Sequence, residues 1–274
     1  MSTGCVVSWL FPEQVSGWFT KSLVDLVLHD TTDGSGFLRD RERSGFIALS
    51  SGPRVAEARN KIIDLFAENY PACDWLLMLD TDMTFSPDLL ERLMAVADPT
   101  EAPIVGGLCF AGGRSNEPYP TIYRLVQNEG YATVDRVHDY PRDALVKVGA
   151  TGAACLLMHR AALATMQAQF GKTDTGATNP YPWFVEGAVG PKGEPWGEDI
   201  AFCLRAHALG IPVHVHTGVR LGHMKTQIID EVMYDNHRRA RELTAAGLFD
   251  DDAPMPHVPN RAERRAAARA KARA

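Results

Sequence analysis

The sequence predicts an α/β fold, a mostly parallel sheet flanked by helices, with a helical extension at the C-terminal end. Three observations carry that expectation. Short apolar runs alternate with segments of helical period through the first hundred residues, the pattern of strands joined by crossover helices. Trp75 to Leu79 is a continuous apolar run ended by acids, as a strand covered on both faces must be. A chain of 274 residues, 45% hydrophobic and 23% charged, can also bury the sizeable core that one large domain needs.

Taken in order, Val6 to Leu10 is apolar and β-branched and reads as the first strand. Ser16 can cap a helix through about Val27, with apolar residues at Trp18, Phe19, Leu23 and Leu26. Residues 30–45 are rich in Asp, Thr, Gly, Ser and Arg with few apolar anchors and read as a mobile loop. Phe46 to Leu49 is a second strand. Val55 to Tyr70 is a helix whose inward face would carry Val55, Ala58, Ile62, Ile63 and Phe66. After the Trp75 strand, Ser86-Pro87 opens a helix to about Ala97, cap first and Pro at the first position. Ile104 to Leu108 and Ala154 to His159 are further strands, the latter followed by a helix over 161–170. Between them, 111–145 is polar and irregular, with short strands expected near Thr121 to Val126 and Tyr131 to Val134. Residues 171–197 form a long Gly-, Pro- and aromatic-rich loop of the kind that closes over sites. Glu198 to Leu209 is a helix stopped by Gly210, Ile211 to His216 a strand, and Thr226 to Ala246 helical. Val213 and Val215 take one face of that last strand, which leaves His214 and His216 for the solvent face.

Charge and cysteine use narrow the function. Residues 261–274 hold six basic side chains against one acid, net +5, which leaves 22 basic and 33 acidic residues elsewhere, net −11. An acidic body is not built to track a phosphate backbone, so nucleic acid is argued against, and the basic tail reads as a solvated end. Cys5, Cys73, Cys109, Cys155 and Cys203 are widely spaced, odd in number and contain no CxxC. They read as buried or free thiols in a reducing compartment, hence a cytoplasmic protein. No apolar run approaches the roughly 18 residues of a membrane span, and the start, Met1 to Leu10, lacks the basic region of a signal peptide.

The chemistry concentrates in three places. Asp80-Thr81-Asp82 follows five apolar residues at the end of a buried strand, where open α/β sheets bind ligands. Alternate residues on extended chain point the same way, so both carboxylates can face one ligand. Two hard oxygen donors suit Mg2+ or Mn2+ held together with substrate phosphates. Trp196-Gly197-Glu198-Asp199 opens a helix, where acids are favoured by the helix dipole and where a rigidly held carboxylate can serve as a general base. His223, just past a strand, completes a metal site if it meets Asp82 in space. The loop aromatics Tyr181, Trp183, Phe184 and Trp196 offer stacking surfaces for a sugar.

In this order, and with Ala58-Arg59-Asn60 and Gly149-Ala150-Thr151-Gly152, the sequence resembles the GT-A glycosyltransferases. It is most similar to family-2-like enzymes encoded by actinobacteria and their phages, from about Val6 to Lys225. The resemblance implies a Rossmann-like domain over 1–225, a helical extension over 226–260 and the basic tail over 261–274. It implies transfer of a sugar from a UDP- or GDP-linked donor to an acceptor, with protein one candidate acceptor. Asp82 and His223 would hold Mn2+ or Mg2+ on the diphosphate, and Asp80 would approach the ribose or donor sugar. Arg59 would stand near the nucleotide with Thr81, and Leu10 and Phe11 would line the base pocket. Asp199, with Glu198 beside it, would be the base of an inverting reaction, and Gly152 and Trp196 would meet the acceptor. The chain departs from larger family-2 enzymes in lacking a Gln-x-x-Arg-Trp motif and membrane helices, which removes processive polysaccharide synthases. Two other readings compete. A sugar nucleotidyltransferase would carry a Gly-rich basic loop where Phe11-Pro12-Glu13-Gln14 stands. A non-catalytic carbohydrate- or nucleotide-binding module would bind donor without turnover.

Overall fold

The computed structural model describes residues 4–245 apart from 113–116, 129–130, 191–192, 194 and 225–227. Its strands are β1 (Cys5–Phe11), β2 (Ser44–Ser50), β3 (Trp75–Asp80), β4 (Met83–Thr84), β5 (Ile104–Leu108), β6 (Phe110–Gly112), β7 (Pro118–Pro120), β8 (Ile122–Asn128) and β9 (Tyr131–Arg136). There follow β10 (Leu145–Val148), β11 (Ala150–Thr151), β12 (Cys155–His159), β13 (Ala188–Val189), β14 (Pro195–Trp196), β15 (Val213–Arg220), β16 (Gly222–Met224) and β17 (Ile228–Ile229). The helices are α1 (Gly17–Thr32), α2 (Val55–Asn69), α3 (Leu89–Met94), α4 (Arg160–Phe170), α5 (Glu198–Ala208) and α6 (Glu231–Ala245).

Seven strands build the central sheet in the order β10-β15-β5-β12-β3-β1-β2. β2, β1, β3, β5 and β15 share one direction, while β12 lies antiparallel between β3 and β5, and β10 antiparallel to β15. The sheet is thus mostly parallel and flanked by helices, as expected. Alternation along β3 feeds two cores. Leu76 and Met78 pack with α2, α4 and α5, and Trp75, Leu77 and Leu79 with α1 and α3. Each such side chain taken fully out of water contributes about 1.5–3 kcal/mol, which is why an unbroken apolar run is tolerated here. All five cysteines are free and buried. Burial pushes the Cys155 and Cys203 thiols up to about 12, so they behave as small apolar fillers.

Several elements differ from expectation. Residues 30–45 are not a loose loop. α1 continues to Thr32, the Asp30 carboxylate accepts the Phe37 and Leu38 N–H groups at 3.1 and 2.8 Å, and Arg39 donates to the Thr31, Thr32 and Gly34 carbonyls. Polar anchoring replaces the apolar anchors that the composition lacks. Trp18 and Val55 sit at helix starts facing water, at 63% and 37% exposure, instead of joining the inward faces. α3 is shorter than Ser86 to Ala97, because Ser86 Oγ bonds the Asp88 carboxylate and the helix opens only at Leu89. His216 is buried and His214 half-buried, not solvent-facing. β15 lies inside the sheet, with α3 on one side and α5 on the other, so neither of its faces is open. The last helix opens at Glu231, not Thr226.

The chain divides into two units, Met1–Tyr234 and Asp235–Ala274. The first turn of α6 belongs to the first unit. In the second, Arg238 pairs with Asp235 and Glu242 along the helix. The extension beyond residue 245 and the basic tail 261–274 lie outside the described residues.

Candidate active site

The site gathers at the carboxyl ends of the parallel strands. β3 delivers Asp80 as its last residue, and the Thr81 hydroxyl donates to the Leu10 carbonyl of β1 at 3.0 Å, tying the acidic turn to the neighbouring strand. Immediately after the turn, β4 pairs antiparallel with β16, setting His223 opposite Met83, and the Met224 N–H donates to the Asp82 carbonyl at 2.7 Å. This short ribbon joins residues 141 apart: His223 Nε2 stands 2.9 Å from Asp82 Oδ2. The other ring nitrogen, Nδ1, is 2.9 Å from the Phe110 carbonyl. The Phe110 carbonyl and the Asp82 carboxylate both only accept, so the ring is held between two acceptors, one at each nitrogen. Among the described residues no group of three or more His, Cys, Asp or Glu could by itself hold a metal ion. Asp82 and His223 form a pair whose further ligands would have to come from elsewhere.

A second cluster centres on Arg59, on the buried face of α2. Its guanidinium donates to both oxygens of Asp80 at 2.9 and 3.0 Å and, through the other terminal nitrogen, to Glu198 at the start of α5. The Phe184 ring lies beneath it at 5.5 Å and itself stacks on Phe202 of α5, with centroids 4.5 Å apart. Burial works against the Arg59 charge, but Asp80 and Glu198 outweigh it and hold the group cationic. Asn60, the next residue, accepts the Trp183 and Phe184 N–H groups and donates to the Ala56 and Phe184 carbonyls. Glu186 accepts the Ala56 N–H at the start of α2, so the long loop is fastened to that helix at both points. Asp199 lies in the first turn of α5 with its carboxylate on the Ile200 N–H at 2.7 Å. Burial and the adjacent Glu198 push its carboxyl above the usual range, against the pull of that N–H and of Arg59.

Two cavities meet over this cluster. One of ≈ 340 Å³ is walled by Leu10, Gln14, Ser16, Ser51, Val55 and Thr81, and the other, of ≈ 270 Å³, by Phe110, Thr121, Gly152, Glu198, Asp199 and His223. Arg59, Asp80 and Asp82 line both. Phe11 and Trp196 are not among the walls. Phe11 gives its carbonyl to the Ser51 N–H at the end of β1, and Trp196 pairs with Ala188 and packs against the core. Sequence reasoning placed none of Gln14, Ser16, Ser51, Thr121 or Asn60 in the site, reading Ser16 only as a helix cap and Asn60 only as part of the Ala58-Arg59-Asn60 motif. Only Asn60 left a signal, a second polar residue beside Arg59 on the apolar face of α2.

Fold and site together define an α/β protein with two adjoining cavities at the carboxyl edge of its sheet, Arg59, Asp80 and Asp82 lining both and Glu198 and Asp199 lining one. No family model and no curated protein matches the chain. Among solved structures it is similar to A197 from STIV, at 13% identity and a TM-score of 0.51 over 94% of this chain and 100% of that one. Glycosyltransferases are also among the structures similar to it. One is GalNAc-T7, crystallised with UDP, GalNAc and Mn2+, at 10% identity and a TM-score of 0.48 over 81% of this chain and 44% of that one. Another is the catalytic domain of Drosophila β1,4-galactosyltransferase 7 in complex with xylobiose, at 18% identity and a TM-score of 0.41 over 81% and 71%. Among the described residues no helix is long and apolar enough to cross a membrane.

Proposed function

We propose that the protein is a metal-dependent glycosyltransferase that moves a sugar from a nucleotide-diphosphate donor to a hydroxyl acceptor with inversion. The observation that carries the reading is the pairing of Asp82, which lines both cavities, with His223, 2.9 Å away and 141 residues distant in sequence. An imidazole nitrogen and a carboxylate oxygen, once the proton between them is displaced, are both ligands that Mg2+ or Mn2+ accepts. Adjacent ligands of an octahedral Mg2+ or Mn2+ at about 2.0–2.1 Å stand about 2.9–3.0 Å apart, so the donor set fits such an ion. Asp82 and His223 would hold such an ion, and further ligands would have to come from the donor or from water. The chemistry a cation supplies there is neutralisation of charge developing on the departing diphosphate.

The chain's own groups divide the work on either side. The Leu10, Gln14, Ser16 and Ser51 cavity takes the nucleoside end of the donor, with Thr81 holding the acidic turn against β1. The cavity with Gly152 and Asp199 takes the sugar and the incoming acceptor. As the acceptor oxygen bonds to the anomeric carbon and the carbon–diphosphate bond breaks, Asp199 receives the hydroxyl proton. Its raised affinity for protons, set by burial and Glu198, suits a base.

The test needs no acceptor. UDP- and GDP-sugars are screened for hydrolysis with Mn2+, with Mg2+ and with EDTA. Cation-dependent release of nucleoside diphosphate is expected. Donor binding without turnover would make the protein a binding module, and release of pyrophosphate from a sugar phosphate and nucleoside triphosphate would make it a nucleotidyltransferase.

A further inference from the structure

We propose that Arg59 is a positioning residue, a strut that sets the end of β3 and the start of α5 relative to each other, and not a contact for the nucleotide. The proposal rests on the transferase reading for its kinetic half and on geometry alone for its structural half. Three observations support it. Both terminal nitrogens are committed, one to the two oxygens of Asp80 and the other to Glu198. The side chain is 4% exposed although it lines both cavities, and with Nε buried and unpartnered its terminal nitrogens could reach a ligand only by breaking those bonds. The planar group is also fixed from below by Phe184, which Phe202 of α5 stacks against in turn.

The elements so joined come from distant parts of the chain, 21 and 139 residues away from Arg59. Asp80 stands two residues before Asp82, and Glu198 immediately before Asp199. A shift of either carboxylate is therefore passed directly to the neighbour that does chemistry. A planar fork can bridge two carboxylates at fixed spacing, which a single ammonium cannot, so Lys at this position keeps the charge and loses the geometry.

The experiment compares Arg59→Lys and Glu198→Gln with the unaltered protein by amide hydrogen exchange and by steady-state hydrolysis of the best nucleotide sugar. Exchange over residues 198–201 should rise on the order of tenfold in both variants while α4 (160–170) stays protected, marking a local release and not general unfolding. Turnover should fall on the order of 10- to 100-fold, with UDP and GDP affinity in Mn2+ within about twofold of the parent. Glu198→Gln keeps size and shape and serves if the Lys variant fails to fold. Unchanged exchange at 198–201 in a folded variant overturns the strut, as does loss of nucleotide affinity at unchanged turnover, which would make Arg59 a nucleotide contact. If the parent binds and hydrolyses no nucleotide sugar, the transferase reading fails, and the exchange arm still decides the strut.

Discussion

Asp199 sits under opposing influences. Burial and Glu198 favour its neutral form, and the Ile200 N–H and Arg59 favour its charged form, with the balance above the ordinary 3.8. As a base it works only when ionised, so transfer should be lost as pH falls through this raised value, at a higher pH than an exposed Asp would give. The stability sign is opposite. A carboxyl whose folded pKa is raised contributes stability that is present below 3.8 and lost as pH rises through the folded value. Asp199→Asn should therefore melt at or above the parent at pH 7 while transfer falls on the order of a hundredfold or more and donor affinity stays unchanged. An Asn variant with full transfer rate removes Asp199 as the base. For the Asp82–His223 pair, Asp82→Ala should weaken Mn2+ binding, read by electron paramagnetic resonance, on the order of tenfold or more, whereas His214→Ala, at the start of β15 beside Lys147 and in neither cavity wall, should change it little. Equal losses would place the cation elsewhere.

At the scale of elements, α2 and the long loop over 171–197 are joined by one side chain. Asn60→Ala would leave the Trp183 and Phe184 N–H groups buried without partners. A loss of about 2–4 kcal/mol in urea unfolding is expected, whereas an exposed helix position such as Lys61→Ala should change stability by less than about 0.5 kcal/mol. Gly149 is needed for another reason. A Cβ there would come within 2.2 Å of the Leu125 backbone nitrogen, so Gly149→Ala should cost about 1–3 kcal/mol by forcing β8 away from the strand it crosses. Residue pattern makes much of this level legible. Apolar continuity marks β3, Ser16 marks the start of α1, where its Oγ accepts the Trp18 N–H at 3.1 Å, and Gly210 marks the end of α5 with a φ of +71°. Strand direction is not legible, because an apolar run such as Cys155 to His159 reads the same whichever way it enters the sheet. Nor is the true burial of His216, which depends on β15 being an interior strand, a fact of topology and not of alternation. In the site, the acidic turn and the helix-start acids can be found by position, and the meeting of Asp82 with His223 was expected only from the family resemblance. That both terminal nitrogens of Arg59 are taken up by carboxylates depends on distances between elements, which no spacing encodes.

For the molecule as a whole, the acidic body and basic tail separate two kinds of behaviour. Deleting 261–274 should leave donor hydrolysis within about twofold of the parent, since charged ends are commonly solvated extensions, and loss of turnover in the truncated protein would place the tail in the site. The order of strands has a consequence for how the chain comes into being. β15 lies between β10 and β5 yet is made after both, and the ribbon that brings His223 to Asp82 follows it directly. During synthesis the strands up to β12 can assemble while β5 still presents an open hydrogen-bonding edge, a template for association with other chains. A nascent chain halted before residue 213 would carry that edge and lack His223, the partner of Asp82. The arrival of β15 and β16 closes the edge and brings His223 to Asp82 in the same stretch of about a dozen residues, so the chain is most exposed to aggregation just before that pair forms.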